Sequence, residues 1–243
     1  MKSLRSIGLL LALTVIVAGC SKSSSPTGSS GTSAPALTAP VFSGPDSSAT
    51  ADTSQAAIVA MGAAATFNAI SSGYVALFTG LSATQSGNSW TWSHSYTTGG
   101  KWTWTATSTS NGYNWTLVEN GTTPSGTYNN WTALSGYQST DGKTGHWVIY
   151  SNGTTAVSDS VGWSTDVSGT VSGTIVIYNN SGVVNETMVY TSNKTTHTGT
   201  LVIYGGPALA PYKVWNIAWT SSGGTWTEYD PTNGGAVVGA GTW

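Results

Sequence analysis

The chain has 243 residues, of which only 7% are charged, against roughly a quarter in ordinary globular proteins. Beyond residue 20 it carries five lysines and no arginine against nine carboxylates, a net charge of −4, so it has no basic surface for nucleic acid or for anionic lipid headgroups. Solubility falls to Thr, Ser, Asn and Gly, which together with twelve Trp and eleven Tyr is a composition common in secreted β-proteins.

The first twenty residues run from Lys2 and Arg5 through an uncharged apolar stretch, Ile7 to Val17, to small residues and a cysteine. This is the order of a secretory signal peptide, and the apolar stretch is too short to span a membrane. Val17-Ala18-Gly19-Cys20 resembles the lipobox of bacterial lipoproteins. The resemblance covers these four residues; it implies cleavage before Cys20, acylation of that cysteine and anchorage in the cell envelope. Cys20 is the single cysteine, which excludes an intramolecular disulfide. A lone buried thiol or metal ligand would have to fall at the end of a signal peptide by chance. Two or more acyl chains hold a protein stably, at about 0.8 kcal/mol per buried methylene. Ser21 stands where an aspartate would retain the protein in the inner membrane, so the outer membrane is favoured where there are two.

The composition divides the chain into a signal peptide (1–19), the acylated Cys20 with a linker of Ser, Thr, Pro, Gly and Ala (20–52), and a folded domain (53–243). The linker has almost no large apolar residue and is expected to be disordered. The domain opens with an Ala-rich, uncharged stretch at 53–71, read as a helix with N-cap candidates Asp52, Thr53 and Ser54 and a stop at Gly73. Ile58, Val59, Met61, Phe67 and Ile70 fall on no single narrow stripe, so the helix is expected to be buried on several sides. A membrane span is the rival, disfavoured by its length and by Thr66, Asn68, Ser71 and Ser72.

After Gly80 the period changes to two, as in Trp90-Thr91-Trp92 and Trp102-Thr103-Trp104, which places indoles on one face of a strand and threonines on the other. Turn signals stand at 97–100, 110–112, 119–121, 140–143, 151–153, 180–182, 192–194, 221–224 and 232–234. An internal repeat begins at glycines 100, 126, 145, 173, 199 and 224, spaced by 26, 19, 28, 26 and 25 residues, which suits one hairpin per unit. Two positions on stand Trp102, Tyr128, Trp147, Ile175, Leu201 and Trp226; five positions on, and on the opposite face by parity, stand Thr105, Trp131, Tyr150, Tyr178, Tyr204 and Tyr229. The expected fold is mainly β: an antiparallel up-and-down meander of about 10–12 strands forming a barrel or curved half-barrel, with the N-terminal helix buried against one face. A flat hairpin array would leave too much Trp and Tyr in water.

The chemistry-bearing residues are sparse. His94, His146 and His197 have no metal-ligand spacing, and neither a phosphate loop nor a nucleophile elbow occurs, so no metal or cofactor is expected. Serine is too abundant for a Ser/His/Asp triad to be informative. Glu119, Glu186 and Glu228 each fall on the aromatic parity of their strands. A carboxyl in an apolar wall has a raised pKa, and a pair of them could serve glycoside hydrolysis. The composition is similar to that of sandwich-type xylanases, but their catalytic-strand sequence is missing; Glu119 and Glu186 also lie near turn signals, where solvated sheet rims are the simpler reading.

The leading expectation is a non-enzymatic envelope lipoprotein, tethered to the membrane by its N-terminal lipid. Its aromatic interior, with Trp102, Trp104, Trp147 and Trp226 as possible ligand-facing residues, either forms the core or takes an apolar or lipid ligand. In the order of its elements the domain resembles periplasmic carriers of lipid or lipoprotein acyl chains, an architectural likeness without shared motif residues. The alternatives are a surface module binding glycan or another cell, and an acylated outer-membrane barrel. The C-terminal Trp243 suits the barrel; Gly241, Gly239 and Val237 before it do not.

Overall fold

The computed structural model describes residues 33–46, 54–76, 81–207, 211–233 and 235–243. The signal peptide, Cys20 and the rest of the expected linker lie outside them. One helix, α1 (Gln55–Ala76), precedes β1 (Thr84–Ser86), β2 (Ser89–Ser95), β3 (Lys101–Ser108), β4 (Gly112–Thr123), β5 (Gly126–Ser139), β6 (Thr144–Tyr150) and β7 (Val157–Thr165). Then come β8 (Thr170–Tyr178), β9 (Val184–Asn193), β10 (Thr198–Gly205), β11 (Tyr212–Thr220), β12 (Gly223–Asp230) and β13 (Ala236–Thr242). The fold is mainly β: these thirteen strands form one antiparallel sheet whose spatial order is the chain order. β1 and β13 are its two edges, so among the described residues the sheet does not close into a barrel.

Thirteen strands exceed the expected 10–12 because β1 is short and polar, a three-residue strand with no alternation to reveal it. The turn signal at Glu119-Asn120-Gly121 marks no turn either. β4 runs through it, the register slips there, and Gly121 supplies the positive φ of 77° that the bulge requires. Asn130, with φ 49°, lies at the matching irregularity in β5. The parity of that strand is thereby broken: Trp131, expected on the face opposite Tyr128, has its ring 4.7 Å from the Tyr128 ring.

The Ser54 carbonyl accepts the first helical N–H, from Ile58 at 3.1 Å, so α1 starts directly after one of the expected caps. The helix does not stop at Gly73. That glycine has no positive φ, so it never takes the left-handed conformation that ends helices, and it costs only the roughly 1 kcal/mol of an internal glycine. Ala56, Ala57, Ala60, Ala63, Ala64, Phe67 and Ile70 are buried, whereas Gln55, Ile58, Ala65 and Ala69 are exposed. The helix is thus covered on one side only. Its sequence could not show which, because both faces are small and uncharged. Among the described residues no helix is long and apolar enough to cross a membrane.

One face of the sheet packs with α1 into a single core that includes Trp90, Trp92, Trp102, Trp104, Trp115, Trp147, Trp163, Tyr190, Trp215 and Trp219. Glycine makes room for these rings. Gly136 lies opposite Trp147, Gly145 opposite Trp163, and Gly199 opposite Trp219. A methyl added at any of the three would stand 2.2 Å from the indole of its partner. The recurrent glycines 145 and 199, with Gly136, are therefore seats over which a neighbouring ring lies, a cross-strand pairing that restores to glycine the packing it lacks. At Gly173 the seat holds two rings that come from outside the sheet, Phe42 and Phe67, 4.4 Å apart.

The repeat has a second structural meaning. Beside Tyr150, Tyr178, Tyr204 and Tyr229 the ladder slips by one residue, and the extra residue lies on the following strand: Ser158, Asn185, Val214 and Val238. Four hairpins thus bulge at one place, and each bulge adds local twist.

Residues 33–46 correct the linker expectation. Part of the supposedly disordered stretch docks on the domain, and Phe42 is only 3% exposed. Burying that ring contributes about 1.5–3 kcal/mol. Thr38 reaches Gln138 on β5, Ser43 meets Ser192 on β9, and Asp46 stands 3.9 Å from His197.

Two alanine substitutions of glycine should move stability in opposite directions. Gly145→Ala, which drives a methyl into Trp163, is expected to cost about 1–3 kcal/mol. Gly62→Ala, in open space inside α1, is expected to gain up to about 1 kcal/mol. Urea denaturation of the two variants beside the parent reads both.

Candidate functional site

The carboxylates sort by position. Asp141, Asp166 and Asp230 close turns. Asp141 Oδ1 accepts from Ser139 Oγ at 2.7 Å and the Lys143 N–H at 3.0 Å. Asp166 Oδ1 accepts from Ser168 Oγ at 2.7 Å and the N–H groups of Ser168 and Thr170, both at 2.9 Å. Asp230 Oδ1 accepts from Thr232 Oγ1 at 2.7 Å and its N–H at 2.8 Å. In each case the side-chain hydroxyl, then the backbone donors, hold the carboxyl below its ordinary range.

Glu119, Asp159, Glu186 and Glu228 instead stand on the helix-covered face. Asp159 is paired with Ile149 and Ile177, and Glu186 with Ile177 and Gly205, so Ile177 separates the two carboxyls. Burial pushes both above the usual carboxylate range, with a hydroxyl donor on Ser158 partly offsetting it for Asp159. Two strand spacings lie between them, roughly 10 Å of backbone. Glu228, opposite Trp215 and Gly239, is three strands from Glu186. Glu119, on β4, is five strands from Glu186 in the other direction. The three glutamates singled out from sequence are therefore not brought together. The closest carboxylate neighbour of Glu186 in the sheet is Asp159, which the sequence reading passed over. Its signal was present, since Asp159, Val161 and Trp163 share one parity.

Glu119 is not at a solvated rim. It is 8% exposed, and its Oε2 accepts from Thr123 Oγ1 at 2.9 Å and Ser125 Oγ at 2.8 Å, which ties β4 to the turn that follows it. Burial, and secondarily the charge of Glu119, push the Tyr96 phenol up to about 12. The Tyr96 ring packs edge-on against His94, which stacks on Trp102.

Of the aromatic candidates, Trp102, Trp104 and Trp147 are buried at 5%, 0% and 2% exposure and belong to the core beneath the helix-covered face. Trp226 stays at the margin, half-buried against Gly239 and Gly241 with its ring 5.8 Å from Trp215. His146 stacks on Tyr137 on the other face, and His197 lies in the β9–β10 turn. Among the described residues no three His, Cys, Asp or Glu side chains come together as metal ligands. Comparison of the chain with protein-family models, curated proteins and solved structures returns no match.

The raised carboxyls make a pH prediction. A carboxyl whose folded pKa exceeds its unfolded value costs nothing while protonated and opposes folding as pH rises through that range. Asp159→Asn and Glu186→Gln should therefore raise the urea midpoint at pH 8 and leave it nearly unchanged at pH 3. Equal effects at both pH values would assign the change to packing.

Proposed function

We propose that this chain is a non-enzymatic lipoprotein of the bacterial envelope, acylated at Cys20, whose curved, half-barrel-like domain takes an apolar or lipid ligand at its aromatic face. The observation that carries the anchor is Val17-Ala18-Gly19-Cys20 behind a basic n-region and an uncharged apolar run. The ligand half rests on α1. Four alanines of this helix, Ala56, Ala60, Ala63 and Ala64, share the core with the aromatic wall, and small side chains make less contact than large ones, so the helix is the cover most readily displaced. Location follows from the anchor: the cell envelope, and the outer membrane where the organism has two, given Ser21.

A second reading, glycan or cell binding at a surface, draws on Tyr150, Tyr178, Tyr204 and Tyr229, which are half-exposed on the uncovered face. The burial of Trp102, Trp104 and Trp147 removes the indole platform it first rested on. An acylated outer-membrane barrel needs a closed sheet, and the described one has two free edges.

Cells supplied with labelled palmitate should incorporate it into the parent chain and not into Cys20→Ser, which should also leave the membrane pellet. Delipidated protein should take up a fluorescent fatty acid saturably. Uptake that never saturates, or none, would remove the ligand half of the proposal and leave the anchor standing.

A further inference from the structure

Residues 37–43 cross the sheet transversely, and this decides how they are held. Thr38 sits at β5 and Phe42 over β8, three strand spacings apart or about 14 Å, which four residues cover only when fully extended. A segment crossing the strands cannot join their ladder. Its main-chain groups are taken up by side chains of the domain.

Asn68 of α1 engages Phe42 with both ends of its carboxamide: Oδ1 accepts the Phe42 N–H at 2.8 Å, and Nδ2 donates to the Phe42 carbonyl at 2.8 Å. Ser192 Oγ accepts the Ser43 N–H at 3.1 Å, and the Tyr190 hydroxyl donates to the Ser43 carbonyl at 3.0 Å. Gln138 Nε2 donates to the Thr38 carbonyl at 3.1 Å and also meets Thr38 Oγ1. Gln138, Tyr190 and Ser192 are 2%, 0% and 1% exposed, so the domain buries polar groups whose work is to bind another stretch of backbone. The side chain of this stretch that is fully buried is Phe42, seated over Gly173 between Phe67 and Tyr190, while Leu37 is partly buried against the same core.

One of these groups is underused. Gln138 Oε1 is buried and finds no partner among the described residues, while the equivalent atom of Asn68 is paired. An unpaired buried acceptor costs about 1–3 kcal/mol. A segment that offered an N–H at this point would satisfy Gln138 as Phe42 satisfies Asn68.

We propose that α1, β5, β8 and β9 form a peptide-binding site, occupied here in cis by residues 37–43, whose ligand is an extended polypeptide segment held by its main chain and anchored by one aromatic side chain over Gly173. Recognition through backbone makes the site tolerant of sequence. The Gly173 seat adds the single strong preference, because any larger residue at 173 would fill it. The site adjoins the aromatic wall beneath the alanines of α1, since the Tyr190 hydroxyl also lies 3.4 Å from the Ala60 carbonyl.

The test is exchange in trans. A protease site placed within residues 47–53 of the mature chain frees the strap from α1 without touching a described residue, and a labelled peptide of residues 36–46 is then added. Saturable binding at one peptide per chain is expected, at least tenfold weaker for the peptide carrying Phe42→Ala and for protein carrying Asn68→Ala. The uncut Phe42→Ala chain, with its own strap weakened, provides a second host if the cut protein loses its near-ultraviolet circular dichroism. Saturable binding there too is expected. No saturable binding to either host, or binding indifferent to Asn68, overturns the proposal.

Discussion

The structure depends on aromatic rings laid over glycines of the neighbouring strand. A sheet with so little charge and so many indoles has to hide one face, and an indole laid across a neighbouring strand would collide with a side chain there. Glycine at 136, 145 and 199 removes that collision, and each indole then covers its neighbour's backbone. At Gly173 the same device admits rings from α1 and from the N-terminal strap, so helix, strap and sheet meet at one point. The hairpin bulges beside the repeated tyrosines act on the same strands and add twist where the rings need it.

The functional chemistry follows from this arrangement. Carboxylates in turns are spent on backbone donors, and Glu119 is spent on two hydroxyls. Asp159 and Glu186 are ionisable groups in an apolar row at the end of the strands away from the strap, and nothing beside them supplies an opposite charge; the domain is destabilised by their ionisation. At the strap end the side chains that meet the strap's main chain, Asn68, Gln138, Tyr190 and Ser192, are neutral. The two ends of one aromatic face therefore present different chemistry.

Much of this was legible in sequence where side-chain parity acts alone. Trp102, Trp104 and Trp147 fall on one face because strands alternate, and the repeat glycines announced one hairpin per unit except at Gly126 and Gly145, which stand on the adjacent strands β5 and β6. Parity failed where a bulge intervened: Trp131 changed face at Asn130, and Glu119-Asn120-Gly121 looked like a turn because a bulge and a turn both use glycine at positive φ. Asp159 was missed for a simpler reason. No repeat glycine falls in its strand and no turn signal was read after it, so only Val161 and Trp163 betrayed the row.

By itself the sequence determined the mainly antiparallel fold and the face on which each regular strand hides its rings, since both follow from local order and from period two. Only the tertiary structure decided that residues 33–46 dock, that α1 is covered on one side, and that the sheet stays open. Phe42 lies in a stretch of Ser, Thr, Pro and Ala that reads as linker. Its burial depends on a slot made by Gly173, Phe67 and Tyr190, residues 25 to 148 positions away that meet only once the sheet has formed.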